Sequence, residues 1–269
     1  MAGATATFDG IAYREEGPAD GPVALLLHGY PESSHMWRGV MGAVAETGWR
    51  AVAPDLPGFG DSRADPPGTW ERHVEAVERF RAGLGLGRVA LVVHDWGGLI
   101  GLRWACDQPG AVRALAISST GFFSDGKWHG MAKALRTESQ GEELLESMTR
   151  EGLAAVLGQA SAGIDEAAVD EYWKAFSDPD RRRGQLELYR SGDFEKLAPY
   201  EGRLSALGVP AKIVWGEDDP FAPVAGARRL HAELPGSELV VIEGTGHFVV
   251  EDAPERYGGE LAAFLRSVG

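Results

Sequence analysis

Residues 92–98 read Val92-Val93-His94-Asp95-Trp96-Gly97-Gly98, and this stretch decides the fold. Three apolar residues, 91–93, lead into a lone carboxylate, and an apolar run over 99–105 follows the two glycines. This order is typical of a buried strand, a sharp turn and a helix that packs on its apolar face. The turn requires glycine because a side chain there would collide with the incoming strand.

Asp95 is the residue that such a turn would present at the mouth of a sheet, where Ser or Cys is more usual. A carboxylate nucleophile forms an ester with an alkyl carbon, whereas Ser and Cys form acyl-enzymes. The alternative is structural: Asp95 could cap the helix predicted over 96–107. The turn alone leaves both interpretations open.

Composition limits the classes of function. The chain has 269 residues, of which 44% are hydrophobic, which is enough for one sizeable core or a core with a lid. Forty acidic residues against 26 basic ones give a net charge of −14, which disfavours binding to nucleic acid. The single Cys106 excludes an internal disulfide and fits a reducing cytoplasm. No signal peptide or membrane span is evident, so we expect a cytoplasmic protein without a membrane partner.

Short apolar runs alternate with helical patterns along the chain. Continuous apolar runs are typical of strands that are covered on both faces, and their alternation with helices predicts a mostly parallel central sheet flanked by helices. A hairpin is predicted ahead of them, around Asp9-Gly10. The predicted strands are Val23–Leu27, Ala51–Ala53, Val89–Val93, Ala114–Ile117, Lys212–Trp215 and Leu239–Ile242, and the predicted helices are 36–47, 69–85, 96–107, 223–234 and 254–267.

One long segment interrupts the alternation. Between the strands at 114–117 and 212–215 the sequence contains only helical patterns, near 128–138, 141–147, 150–158, 165–176 and 180–190. Such a connection is too long for a simple loop in a compact domain. We therefore predict a core formed by residues 1–120 and 201–269, with an inserted helical cap at 121–200.

The ends of three predicted strands bring together a set of reactive residues. Asp95 follows one strand, Gly216-Glu217-Asp218-Asp219 follows a later one, and His247 follows the last. In open parallel sheets, sites form beyond the carboxyl ends of strands. The order of nucleophile, acid and base resembles the α/β-hydrolase family, in the branch with an Asp nucleophile, over essentially all of residues 20–269.

The resemblance implies a role for each of these residues. Asp219, selected over Asp218 by the pattern Gly-x-x-Asp, would hold the imidazole of His247 in the correct tautomer. His247 would activate a water molecule against the alkyl ester on Asp95. The backbone N–H groups of Trp96 and Tyr30 would form the oxyanion hole.

The sequence resembles two groups within this branch. Epoxide hydrolases share the loop His28-Gly29-Tyr30-Pro31-Glu32-Ser33 and a ring-opening tyrosine in the cap, here Tyr189, with His129 at the place of a second donor. Haloalkane dehalogenases share the turn around Asp95, and their halide would be held by the indole N–H groups of Trp96 and Trp128.

From these features we expect an epoxide hydrolase that converts an epoxide into a vicinal diol. The alternative is a haloalkane dehalogenase, and a non-catalytic binding protein on the same fold is a remote alternative. The expected partners are a small apolar epoxide or haloalkane and water, with no cofactor and no metal. A homodimer is compatible with the sequence, which does not fix the oligomeric state.

Overall fold

The computed structural model describes residues 5–269 and places eight strands in one sheet. The spatial order is β1-β2-β4-β3-β5-β6-β7-β8. β1 and β2 form the predicted hairpin and β2 pairs antiparallel with β4, whereas the other neighbours are parallel. The strands are β1 (Thr5–Phe8), β2 (Ile11–Glu16), β3 (Val23–Leu27), β4 (Arg50–Pro54), β5 (Val89–His94), β6 (Val112–Ser118), β7 (Ala211–Gly216) and β8 (Glu238–Ile242).

The central strands are buried because helices cover both faces of the sheet. Every residue of β3, β5 and β7 is buried, as continuous apolar runs predict. The twelve α-helices within residues 5–269 are α1 (Met41–Ala45), α2 (Trp70–Gly83), α3 (Trp96–Asp107), α4 (Gly130–Arg136), α5 (Gln140–Ser147), α6 (Arg150–Ala160), α7 (Glu166–Trp173), α8 (Pro179–Ser191), α9 (Arg203–Ala206), α10 (Val224–Glu233), α11 (Val249–Asp252) and α12 (Pro254–Val268).

Two predicted helices are shorter than expected. The helix predicted over 36–47 is a 3₁₀ turn at Ser34–Gly39 followed by α1, because Gly39 and the β-branched Val40 interrupt the helical pattern. The helix predicted over 165–176 ends at Trp173 and continues as a 3₁₀ turn. The predicted helix over 96–107 is confirmed at both ends.

Helices α4 to α8 form the helical cap between β6 and β7. Arg181 of α8 donates hydrogen bonds to the backbone carbonyls of Gly58, Gly60 and Ser62, so the cap is attached to the loop after β4. The side chain of Tyr172 in α7 donates to Glu251 in the core. These contacts hold the cap over the carboxyl ends of the parallel strands, while the boundaries at 121 and 200 stay a prediction.

Within residues 5–269, no helix has the length and apolar character that crossing a membrane requires.

Candidate active site

Asp95 lies between the end of β5 and the start of α3, in a strained backbone conformation. Its φ of 47° and ψ of −120° are rare for a residue with a side chain and cost on the order of 1–3 kcal/mol. Its carboxylate makes no capping hydrogen bond to α3, which counts against the structural alternative. The strain instead presents the carboxylate to a cavity that Asp95 lines.

Two glycines allow the close approach on which this turn depends. A Cβ atom on Gly29 would lie 2.5 Å from the Cβ of Asp95 and 2.7 Å from its Oδ1. A Cβ atom on Gly97 would lie 2.4 Å from the carbonyl oxygen of Leu27. All three distances are shorter than real contacts of a Cβ atom. The sequence-based expectation that this turn requires glycine is therefore confirmed at Gly97.

His247 connects Asp95 and Asp219. Its Nδ1 lies 3.0 Å from both carboxylate oxygens of Asp219, and its Nε2 lies 3.5 Å from Oδ2 of Asp95. The Asp219 carboxylate also accepts the N–H groups of Phe221 at 2.9 Å and Ala222 at 2.8 Å. Asp218 is exposed, in agreement with the choice of Asp219 as the acid.

The charges of these groups depend on each other. Burial disfavours a charged Asp95, but the hydrogen bond and charge of His247 outweigh burial and lower the pKa of Asp95 to about 2. Burial also disfavours a charged His247, but its bonds to Asp219 and Asp95 raise its pKa to about 10. The free site is therefore an imidazolium between two carboxylates at neutral pH.

The loop after β3 supplies a donor to Asp95. The backbone N–H of Tyr30 donates to Oδ1 of Asp95 at 2.8 Å. His28 holds this loop: its Nε2 accepts from Leu56 N–H at 2.8 Å, so its Nδ1 donates to the carbonyl of Gly29 at 2.8 Å. In the described part of the chain, the backbone N–H of Trp96 makes no hydrogen bond to the Asp95 carboxylate, although Trp96 is the next residue along the chain.

An apolar cavity of about 50 Å³ lies in front of Asp95 and His247. Its walls come from the cap and from the loops of the core, and its polar lining residues include His129 and Tyr189. The apolar side chains on these walls are those of Pro31, Met131, Leu144, Leu145, Met148, Leu153, Val156, Leu157, Ala160, Phe176, Phe221 and Phe248. The cavity therefore suits a small apolar molecule.

A second cavity of about 60 Å³ also reaches Asp95 and His247. Trp96, Trp128 and Phe194 line it together with the side chain of the exposed Lys127. Ser119, which also lines it, has a φ of 47°. Asp95 and His247 therefore face two cavities, one apolar and one partly polar.

The aromatic residues predicted from the sequence meet beside Asp95. Trp128 stacks on Trp96 with 5.4 Å between ring centroids and contacts Phe194 at 4.5 Å. Tyr189 lies edge-on to Trp96 at 5.2 Å and to Tyr30 at 5.0 Å. The Trp96 indole N–H is buried, and no hydrogen-bond partner for it is found among residues 5–269.

Tyr189 and His129 differ in how deeply they are buried. Tyr189 is buried, and burial together with the charge of Asp95 raises the pKa of its hydroxyl well above the usual range. The nearby donor on the Trp96 side chain opposes this rise because it favours the ionised hydroxyl. His129 is half-buried at the start of α4, and its ring lies 4.9 Å from that of Phe221. Burial lowers the pKa of His129, although the charges of Asp95 and Asp219 oppose this change. Both residues border both cavities.

Sequence reasoning missed the buried groups behind the site. Glu32 and His94 are completely buried, with 3.4 Å between Oε2 and Nε2. Glu251 is also buried and carries the hydrogen bonds from Arg38 and Tyr172. The position of Glu32 beside Tyr30-Pro31 was the available signal. No group of three or more His, Cys, Asp and Glu side chains suited to a metal ion is found in residues 5–269.

Comparisons with known proteins agree with this geometry. A model of the alpha/beta hydrolase fold matches residues 22–254. A haloalkane dehalogenase of Mycolicibacterium paratuberculosis is 43% identical over 95% of this chain and 86% of its own length. A cis-3-alkyl-4-alkyloxetan-2-one decarboxylase of Xanthomonas campestris is 28% identical over 95% of this chain and 92% of its own.

Solved structures give the same result. The crystal structure of a putative ancestral haloalkane dehalogenase superposes with a TM-score of 0.82 and 28% identity, covering 98% of this chain and 99% of the other. A family model that spans most of the chain and relatives of this similarity identify the family. The chain belongs to the α/β-hydrolase fold family, in the group of haloalkane dehalogenases and epoxide hydrolases whose nucleophile is an aspartate.

Proposed function

We propose that this hydrolase is a haloalkane dehalogenase, which converts a small haloalkane and water into an alcohol, a halide ion and a proton. The observation that carries the proposal is the buried indole N–H of Trp96, which makes no well-formed hydrogen bond within residues 5–269. Trp96 lines one cavity together with Asp95, and its contact with Tyr189 is close enough only to oppose the rise in the pKa of that hydroxyl. The names of the relatives support the same activity. The epoxide hydrolase preferred from the sequence becomes the second candidate.

In the first step, an Asp95 carboxylate oxygen attacks the carbon that carries the halogen. The carbon–oxygen bond forms as the carbon–halogen bond breaks, and the halide leaves with the bonding electron pair. A carboxylate with a pKa of about 2 is fully charged at neutral pH, as this attack requires. The indole N–H of Trp96 would donate to the leaving halide as negative charge develops on the halogen.

In the second step, water cleaves the ester. A water oxygen attacks the carboxyl carbon of Asp95 while Nε2 of His247 takes its proton, and Tyr30 N–H donates to the resulting oxyanion. Before this step His247 loses the proton that it carries in the free site, and this is the proton of the overall reaction. Collapse of the intermediate breaks its bond to the alkoxide, which takes the proton from Nε2 of His247 and leaves as the alcohol. The second proton of the water, now on the Asp95 carboxyl group, passes to His247 and restores the ion pair. Asp219 keeps Nδ1 of His247 protonated and Nε2 directed at the water.

The surroundings of Asp95 support an apolar substrate. Trp128 and Phe194 cover Trp96, so a halide held there would be shielded from competing water. The methionine, leucine and phenylalanine side chains of the first cavity would contact the alkyl chain. Substrates with a carboxylate group are disfavoured because Trp96 and Leu99 are apolar at the start of α3.

Epoxide hydrolysis is kept as a second candidate because of Tyr189. Tyr189 is buried and borders both cavities beside Asp95, and a hydroxyl directed into them could protonate the oxygen of an opening epoxide. Tyr189→Phe should reduce epoxide opening by about 10²–10⁴-fold and leave halide release within a few-fold of the wild type. Tyr200→Phe is the control, because Tyr200 lies outside the two cavities that contain Asp95.

The deciding experiment compares product formation by the wild type. The protein is incubated with 1-bromobutane, with styrene oxide and with a cis-3,4-dialkyl-oxetan-2-one, and bromide, diol and alkene are quantified. Bromide release with little diol or alkene supports the proposal. Diol formation without bromide release would establish the epoxide reading, and alkene formation alone would establish the decarboxylase activity named for the Xanthomonas relative.

We also propose a cytoplasmic location. Cys106 is buried in α3, and burial raises its pKa to about 12, which makes this thiol poorly reactive. A chain with one unreactive cysteine is compatible with a reducing compartment. Fractionation of the native host with an antibody against the protein would test this location.

A further inference from the structure

The loop that carries the oxyanion donor is held by Glu32 as well as by His28, whose Nδ1 donates to the Gly29 carbonyl at 2.8 Å. Oε2 of Glu32 accepts the backbone N–H of Gly29 at 3.1 Å, and the backbone N–H of Glu32 donates to the Gly29 carbonyl at 3.1 Å. Both polar groups of Gly29 are therefore held by Glu32. The next N–H along the chain is that of Tyr30, which donates to Asp95.

The two hydrogen bonds between Glu32 and Gly29, called the clamp below, act where the Gly29 backbone has little room to move. Gly29 approaches Asp95 so closely that even a methyl group would not fit between them. A small rotation of the peptide between Gly29 and Tyr30 would turn the Tyr30 N–H away from Oδ1 of Asp95. Hydrogen bonds weaken steeply when their angle is lost, so the donor depends on the position of Gly29.

The surroundings of Glu32 favour an uncharged carboxyl group. Its side chain has no exposed surface, and its Oε1 has no protein partner among the described residues. Burial is the main cause that raises its pKa well above the usual range, and the charges of Glu251 and Asp95 add to it, while His247 and the Gly29 N–H oppose the rise. His94, whose pKa burial lowers to about 3, is neutral beside it. Its Nε2 lies 3.4 Å from Oε2 of Glu32 and has no hydrogen-bond partner among the described residues, so it is a neutral acceptor facing the acid.

We propose that Glu32 is a positioning residue for hydrolysis: as a neutral carboxylic acid it holds Gly29 so that the Tyr30 N–H is aimed at the oxyanion on Asp95. The inference rests on the proposed function, because it concerns the second step of that reaction. A charged Glu32 would be a third carboxylate beside Asp95 and Asp219, which share one imidazolium.

The two chemical steps should respond differently to the loss of the clamp. During alkylation the charge on Asp95 falls, so a hydrogen bond to its oxygen gives no advantage to the transition state. During hydrolysis a negative charge forms on the same oxygen, and the donor becomes important. Glu32 should therefore affect hydrolysis and not alkylation.

The test measures both steps by rapid quench with 1-bromobutane, for the wild type, Glu32→Gln and Glu32→Leu. Glutamine is neutral and keeps an oxygen for Gly29 N–H, so both of its rates should stay within about threefold of the wild type. Leucine cannot accept that N–H, and we expect hydrolysis to slow by about 10–100-fold with alkylation unchanged, so that the alkyl-enzyme accumulates. Hydrolysis at the wild-type rate in Glu32→Leu, or an equal loss in Glu32→Gln, would overturn the proposal.

A second measurement does not depend on a folded leucine variant. The infrared difference between the wild type and Glu32→Gln should contain the carbonyl band of a protonated carboxyl group at pH 7. A carboxylate band in its place would refute the neutral state of Glu32. A wild type that neither forms an alkyl-enzyme nor releases bromide would instead refute the proposed function, and the infrared result would still stand.

Discussion

Replacement of His247 by glutamine should stop the reaction after its first step. Nε2 of His247 lies 3.5 Å from Asp95 and is the only base that the proposed mechanism uses against water. Glutamine has a similar length and can still donate to Asp219, but it cannot take a proton. Hydrolysis should therefore slow by about 10²–10⁴-fold, the usual contribution of general base catalysis.

The first step should survive because Asp95 stays charged in the variant. His247 is the main group that holds the pKa of Asp95 at about 2, so this pKa rises when the imidazolium is lost. Half protonation of Asp95 at pH 8 would need a pKa about four units above its ordinary value of 3.8, a shift found in carboxyl groups that are fully buried without compensating donors. Asp95 in the variant still accepts the Tyr30 N–H, which lowers its pKa. The carboxylate therefore still attacks the haloalkane.

Intact-protein mass spectrometry measures the outcome. After incubation of His247→Gln with 1-bromobutane, the spectrum should show one butyl group per chain, released bromide in a one-to-one ratio, and a labelled peptide that contains Asp95. The double variant Asp95→Ala/His247→Gln should carry no label. Thermal unfolding of each variant verifies folding, because loss of one member of a buried charge cluster can cost about 3–5 kcal/mol.

Two results would refute this reasoning. Bromide release at the wild-type rate without any label would mean that water attacks the haloalkane directly. A butyl group on another residue would mean that Asp95 is not the nucleophile.

Two further predictions use matched neighbours as controls. Asp219→Asn should lower kcat by about 10³–10⁴-fold, because an amide can hold the imidazole of His247 in the wrong tautomer. The control is Asp218→Asn, which changes an exposed residue and should alter kcat by less than about twofold. Equal effects of the two substitutions would contradict the choice of Asp219 as the acid. Trp96→Phe removes the N–H that would bind the halide, and a hydrogen bond to a charged group contributes about 1.5–3 kcal/mol, so bromide should inhibit about 10–150-fold more weakly. Trp70→Phe should leave inhibition by bromide unchanged, because the Trp70 indole N–H already donates to the carbonyl of Leu99 at 3.1 Å. Bromide affinity that is unaltered in Trp96→Phe would remove the main support for a halide site.

The strand ends explain why the three central residues could be predicted. Parallel strands deliver the residues after their carboxyl ends to one edge of the sheet, so Asp95, Asp219 and His247 had to be neighbours once the strands were recognised. The helix that follows Asp95 was predicted with both ends correct because its apolar run and flanking residues are local signals.

The cap and the buried acid could not be predicted in the same way. The stacking of Trp128 on Trp96 depends on how α4 and α8 pack over the core, and no periodicity within one helix encodes that packing. Glutamate is seldom buried completely, so the place of Glu32 after Tyr30-Pro31 was only a weak signal for a buried acid behind the site. The choice between a halide and an epoxide depends on these groups, and for that reason the sequence alone did not rank the dehalogenase first, whereas the names of the relatives favour it.

In the proposed mechanism His247 has two tasks that require opposite protonation states, and the geometry is compatible with both. In the free site it lies between two carboxylates, its pKa is about 10, and its charge keeps Asp95 ionised for attack. Alkylation neutralises Asp95 and removes one of the two charges that raise this pKa, so the pKa falls and the imidazole can lose its proton. Asp219 is then the only carboxylate that still raises the pKa of His247. The N–H groups of Phe221 and Ala222 donate to Asp219 and spread its negative charge, so that it holds the proton on His247 less strongly. In the proposed mechanism, formation of the ester thus converts His247 from a counter-ion into the base that cleaves it.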